Sequence, residues 1–181
     1  MVEDSNRKKN SKDFFDTEIL INSKDPDYYL YHYKNDEIRL FDYHKSMTIY
    51  LSDKSKNNEV VYRYLRHGSF IDHESRETQY IEIKEIVKDT FTVRTFKSEK
   101  DKVNFELKVT LQKAETDLLY LYKLDLGNKT PKKILKALRE KLISLYGNSN
   151  FIITDMKADY NNGFIQSVKL VKYEKINRII R

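Results

Sequence analysis

The chain has no cysteine and no tryptophan among its 181 residues, only two prolines and four glycines, and no long apolar run. Lack of thiols removes disulfides, zinc–thiolate sites, iron–sulfur clusters and a cysteine nucleophile together, and is compatible with a reducing compartment. With glycine only at positions 68, 127, 147 and 163, there is no phosphate-cradling loop, no dinucleotide fingerprint and no nucleophile elbow. No stretch approaches the about 18 apolar residues that span a bilayer. The polar start from Met1 to Asp16 has no secretory-signal core. A cytoplasmic protein with no membrane partner is expected. The four histidines, His32, His44, His67 and His73, lack metal-ligand spacing. Asp42 and His44, two apart, with His32 come nearest to a 2-His-1-carboxylate set, but no HExxH-type pattern accompanies them. No catalytic residue, metal or cofactor is assigned, and an enzyme is not the expected class.

What is present is aromatic and charged. The chain is 39% hydrophobic, 13% aromatic and 34% charged, with 14 tyrosines and nine phenylalanines. That content supports a packed core at this length. The net charge of +6, from 34 basic and 28 acidic residues, permits an acidic partner without demanding one. The lean towards Lys, Asn, Ile and Tyr matches AT-rich coding, as in phages and mobile elements of low-GC bacteria. Part of the lysine excess then reads as drift.

Residues 1–13, with Arg7, Lys8, Lys9 and Lys12, read as a disordered basic tail. Residues 14–181 read as a single domain, with a possible subdivision into a β meander (14–126) and an αββ unit (127–181) too small to stand alone. Strands are expected at 17–22, 28–33, 37–43, 46–51, 59–66, 79–87, 90–97, 103–111, 118–126, 150–160 and 164–173, counted as about nine or ten in the sheet. Their turns include Asp25-Pro26-Asp27 and Lys34-Asn35-Asp36. His67 to Thr78 reads as a long irregular loop containing Asp72-His73-Glu74. Thr130 as N-cap, Pro131 at the first helical position and Gly147 at the end bound one helix. Its apolar stripe is Leu135, Leu138, Leu142 and Leu145, with Ile134 and Tyr146. Asn162-Gly163 predicts a type I′ hairpin between the last two strands. The expected fold class is α+β: a mostly antiparallel, strongly curved sheet with one amphipathic helix packed on it, followed by a C-terminal β-hairpin.

Two surfaces are candidate partner-binding sites. Lys132, Lys136 and Arg139 fall on one helix face beside Lys133, and cations in a first helical turn run against the macrodipole, which favours an anion there. On the strand at 59–66, alternation places Tyr62, Tyr64 and Arg66 on one face and Arg63 on the other, near Tyr28, Tyr29, Tyr31, Tyr33, Tyr43 and Tyr50. Aromatics beside cations suit a protein interface or stacking with single-stranded nucleic acid, though no RNP-type signature is present. Glu82 and Lys84 after Tyr80, and Glu106 and Lys108 after Asn104, form a pattern that resembles the Glu-x-Glu-x-Lys strand of the triphosphate-tunnel enzymes. Tyr80 and Asn104 stand where that pattern has its first Glu. The resemblance implies, as an alternative, a polyphosphate- or nucleotide-handling β-barrel enzyme. The leading expectation is a non-enzymatic binding protein, such as a small phage or mobile-element inhibitor or accessory factor. It would act on a protein or nucleoprotein complex through a basic, Tyr-rich surface; single-stranded nucleic-acid binding is the other alternative.

Overall fold

The computed structural model describes residues 2–7, 13–22, 24–25, 27–33, 37–54, 60–69, 78–122, 124 and 129–176. Among them, eleven strands and one helix follow in the order β1 (Val2–Arg7), β2 (Asp13–Ile21), β3 (Tyr28–His32), β4 (Glu37–Asp42), β5 (Met47–Asp53), β6 (Tyr62–Ser69), β7 (Tyr80–Val87), β8 (Thr90–Phe96), β9 (Phe105–Lys113), α1 (Lys129–Tyr146), β10 (Phe151–Asp159) and β11 (Ile165–Leu170). The fold is a β-rich α+β arrangement, as the residue pattern predicts. Pro26, the turn at 34–36, the segment 70–77 with its Asp72-His73-Glu74, and the boundary residues Gly127 and Asn128 lie outside the described residues.

The strands are ordered β6-β5-β4-β3-β2-β1-β11-β10-β9-β8-β7. All neighbours are antiparallel, and the sheet does not close: β6 and β7 form its two ends. One meander, β1 to β6, runs outward from the middle; the other, β7 to β11, returns from the far edge and meets it at β1–β11. β2 changes partner along its length. Residues 13–17 pair with β1, and Glu18 to Ile21 pair with β3, so the ladder falls into two antiparallel groups joined by this strand.

Within the expected tail at 1–13, Val2–Arg7 form a paired strand, while Lys8, Lys9 and Lys12 lie outside the described residues. Val2 to Arg7 pair on one side with Leu170 to Ile165, and on the other side Val2 to Asn6 pair with Thr17 to Asp13. A ladder bond uses backbone N–H and C=O and is indifferent to side-chain polarity. A polar segment is therefore drawn into the sheet when both neighbours offer unpaired edges. Strand pairing also crosses the possible subdivision at 126/127. β9 and β10 flank the helix in sequence yet pair directly, from Phe151 opposite Lys113 to Asp159 opposite Glu106.

The main core lies between α1 and β8–β10. Phe105, Leu107, Val109 and Leu111 alternate inward along β9 while Glu106 and Lys108 face away, the one-dry-face pattern of a half-covered strand. Ile134, Leu138 and Leu142, with 0% exposure each, join them in one cluster with Phe91, Val93, Ile153 and Met156. The helix is turned slightly from the expected stripe. Leu145 is 44% exposed, and the buried line is the i, i+4, i+8 row from Ile134. The helix begins at Lys129, so Thr130 is a buried helical residue whose hydroxyl meets that of Thr78, 3.4 Å away. At the other end Gly147, at φ +78°, donates its N–H to the Ile143 carbonyl.

The segment 118–122, expected as a strand, makes only one isolated bridge, Leu118 to Ile152. Its apolar character has another cause. Leu119, Leu121 and Tyr122 are buried in the helix-side core, and the Tyr122 hydroxyl donates to the Ile153 carbonyl at 2.8 Å. The β10–β11 hairpin forms, but positive φ falls at Asn161 and Gly163. Asp159 Oδ1 accepts from the Asn161 N–H and Asn162 Oδ1 from the Phe164 N–H, giving a wider loop than a two-residue type I′ turn. A second, small cluster of Leu30, Ile38 and Leu51 serves β3–β5.

Two substitutions test the helix orientation. Leu138→Ala should cost about 2–5 kcal/mol of stability in urea unfolding. Leu145→Ala should cost well under ~1 kcal/mol; equal losses would mean that the stripe is centred elsewhere.

Candidate functional site

The helix cations are largely engaged within the molecule. Lys132 Nζ lies 2.8 Å from Asp27 Oδ2, ahead of β3, and Lys133 Nζ donates to the Thr78 carbonyl at 2.8 Å. Arg139 holds Asp117 through Nε at 2.7 Å and also reaches the Leu119 carbonyl at 3.2 Å. Of the four, Lys136 remains most open, 80% exposed and 4.0 Å from Glu140. α1 has no acid in its first turn. Asp27 supplies from outside the helix the countercharge that an acidic first turn would give. The first turn is thus a joint between the two halves of the fold. His44 adds to it: Nε2 is 3.0 Å from Asp25 Oδ2 and 4.0 Å from Asp27 Oδ2. Asp25, Asp27 and His44 sit close enough to share a cation, and the Lys132 ammonium already provides that charge.

The second surface is better formed, and its main residues lie partly elsewhere than expected. Ile19 packs on the helix-side core and stands opposite Tyr31 in the ladder. From there a single row crosses the sheet: Tyr31 opposite Arg39, Arg39 opposite Tyr50, Tyr50 opposite Arg66. This row is the continuation, beyond the helix, of the face that α1 covers. At the border Tyr29 touches the ring of Tyr120 at 5.7 Å between centroids, and its hydroxyl donates to that of Tyr43 at 2.9 Å. Burial, with the neighbouring Tyr120 and Tyr43, pushes the Tyr29 phenol far above its usual range, so it is a neutral structural contact.

Outward from the border, the rings and cations stack. Tyr31 and Tyr33 are near parallel at 5.9 Å. The Arg39 guanidinium lies 5.0 Å from the Tyr33 centroid and 5.4 Å from that of Tyr50, and Arg66 covers Tyr50 at 4.1 Å. Each such contact contributes about 0.5–1 kcal/mol when exposed. Glu37 accepts from Arg39 Nε at 2.8 Å; this bond, against partial burial, raises the guanidinium pKa further. Arg39 and Tyr33 bind the stripe together, yet the strand composition around 59–66 pointed only to its outer end. The signal available was alternation in β4, where Glu37, Arg39 and Phe41 share a face.

β6 departs from simple alternation. Tyr50 faces Arg66 and Leu51 faces Tyr64, so Leu65 is the extra residue of a bulge. The bulge brings Arg63, opposite Ser52, onto the same face as Arg66 and Tyr50. Tyr62 and Tyr64 go to the opposite face, where Tyr62 packs on Leu30, Ile38 and Leu51. Tyr64 reaches His67 Nδ1 at 2.6 Å. Tyr62 and Tyr64 thus share a face opposite Arg63, as alternation predicts, but the bulge moves Arg66 from the tyrosines' face to that of Arg63.

The carboxylates of the tunnel-like pattern lie on strands of a sheet that does not close. Glu82, Arg94 and Glu106 form one cross-strand row on the wet face, with Arg94 Nε 2.7 Å from Glu106 Oε2 and Lys84 beside Glu82. His32 pairs with Glu18 at 3.5 Å, away from His44. No helix among the described residues is long and apolar enough to cross a membrane.

Asp117 provides a test of the helix anchorage. Partial burial pushes its carboxyl up, but hydrogen bonds from Arg139, the Leu119 N–H and Ser149 outweigh this and hold it below its usual 3.8. A depressed folded pKa means stability that is present above the unfolded value and lost as pH falls through the folded one. Asp117→Asn should lower stability at pH 7 by about 1 kcal/mol, and the deficit should shrink as the pH falls below the carboxyl's usual 3.8. Urea titrations at neutral and acid pH check this; a deficit that persists in acid would locate the loss elsewhere. Comparison with protein-family models, curated proteins and solved structures gave no match, so function has to be argued from these side chains alone.

Proposed function

We propose that the chain is a binding protein that engages a protein, alone or within a nucleoprotein complex, through the Tyr–Arg half of the sheet face on β3–β6, beyond the half that α1 covers. One observation carries this reading: Arg39, Tyr50 and Arg66 form a continuous row on a face whose other half is sealed by α1. A sheet face normally ends in scattered polar residues where it meets water. This one ends in tyrosine and arginine, the residue types most enriched at protein interfaces and their energetic centres. Single-stranded nucleic acid fits less well. Base stacking needs open ring faces, and Tyr50 has Arg39 and Arg66 beside it while Tyr33 has Tyr31 and Arg39.

The test is affinity capture from host lysate with the full chain, with and without nuclease. A discrete protein should be retained after nuclease treatment. Arg66→Glu should reduce its recovery about tenfold, equivalent to ~1.4 kcal/mol, with circular dichroism unchanged. Loss of the partner on nuclease treatment would assign the surface to nucleic acid. Recovery indifferent to Arg66→Glu would exclude this face.

A further inference from the structure

Among the described residues the sheet ends at two strands, β7 and β6, and they differ in chemistry. β7 carries Glu82, Lys84 and Glu85, with Glu82 paired to Lys84 and Glu85 accepting from the Tyr146 hydroxyl of the helix at 2.7 Å. Alternating charge on an edge is the usual guard against further strand pairing. β6 has no acidic residue at all: Tyr62, Arg63, Tyr64, Leu65, Arg66, His67, Gly68 and Ser69. Tyr64 is 54% and Leu65 55% exposed. Among the described residues no strand lies beyond β6, and neither Arg63 nor Arg66 has a carboxylate partner.

Resting on the Tyr–Arg reading above, we propose that the β6 edge receives an extended acidic segment of a partner protein as an added antiparallel or parallel strand. The backbone ladder would supply affinity, as in other strand additions. Side chains would supply the choice of partner. Because of the bulge at Leu65, Arg63 and Arg66 stand on one face, so acidic residues at alternate positions of the incoming strand meet both cations. Apolar residues at the intervening positions meet Tyr64 on the other face. A second copy of this chain suits the edge poorly. Pairing β6 with itself about a twofold axis brings four guanidinium groups onto one face with no carboxylate in either strand.

The probe is a fluorescein-labelled decapeptide of alternating valine and glutamate, titrated with the full chain by anisotropy. Its block isomer (five valines, then five glutamates), an alternating valine–lysine peptide and a dT20 oligonucleotide serve as comparisons. The alternating glutamate peptide should bind about tenfold more tightly than the block isomer, and Arg63→Glu with Arg66→Glu should reverse the preference towards the lysine peptide. On the unaltered chain, the same peptide should slow amide hydrogen exchange in residues 62–69, a readout independent of whether the double variant folds. Equal binding of the two isomers, or no protection in β6, overturns strand addition. Tighter binding by dT20, competing with the peptide, overturns the acidic-peptide assignment. If the peptide fails while Arg66→Glu still releases the captured lysate protein, the edge inference falls and the Tyr–Arg face stands. If neither responds to these arginines, both fall.

Discussion

The pairing of β1 with β11 holds the rest of the structure together. Without it there would be two antiparallel pieces, β1–β6 and β7–β11 with the helix, each ending in an unsatisfied edge. Six register pairs from Val2–Leu170 to Arg7–Ile165 join them. The same strand satisfies β2 on its other side, and β2 then hands the ladder on to β3. Two weaker contacts reinforce the junction away from the backbone: Tyr29 against Tyr120, and Lys132 with Asp27. Exposed ion pairs contribute little individually. Their role here is to orient halves that the ladder has already connected.

That junction divides one sheet face into two environments. On the β8–β10 side, α1 and the segment 118–122 exclude water from phenylalanines and aliphatic residues. Past Ile19 and Tyr31 nothing described covers the face in the same way, and the residues change to ring, cation, ring, cation. Most of the helix cations serve the covered half by tying it to its surroundings, whereas Arg39, Arg63 and Arg66 belong to the open half. The distinction between a structural and an available cation depends on what lies opposite, and residue type alone does not contain it.

Local structure was legible in the chain where local physics decides it. Alternation located β9 and its dry face, the threonine–proline and glycine punctuation located the helix to within two residues, and asparagine with glycine located the last hairpin. What could not be read was non-local. Polar residues 2–7 gave no hint that a strand 160-odd positions away would leave an edge for them. The apolar stretch after β9 resembles a central strand because burial on all sides and central pairing leave the same composition. At the surface, one residue of bulge in β6 was enough to move Arg66 from the face of Tyr62 and Tyr64 to that of Arg63. Period-two reasoning has no protection against such a slip. Tyr50 and Arg66 were both visible as candidates, but Arg39, which connects them to the buried tyrosines, was not.

The stacking of Arg39 between Tyr33 and Tyr50 also bears on the interface proposed above. A free arginine side chain samples many rotamers, and fixing it in a complex costs up to about 2 kcal/mol of entropy. Here the rings and Glu37 confine the guanidinium before any partner arrives. Part of the ordering cost is thereby met during folding rather than during association, in the manner of an affinity-matured paratope. Arg66 is held in the same way over Tyr50, at 4.1 Å. In the proposed interface the row would therefore offer cations already held against their rings.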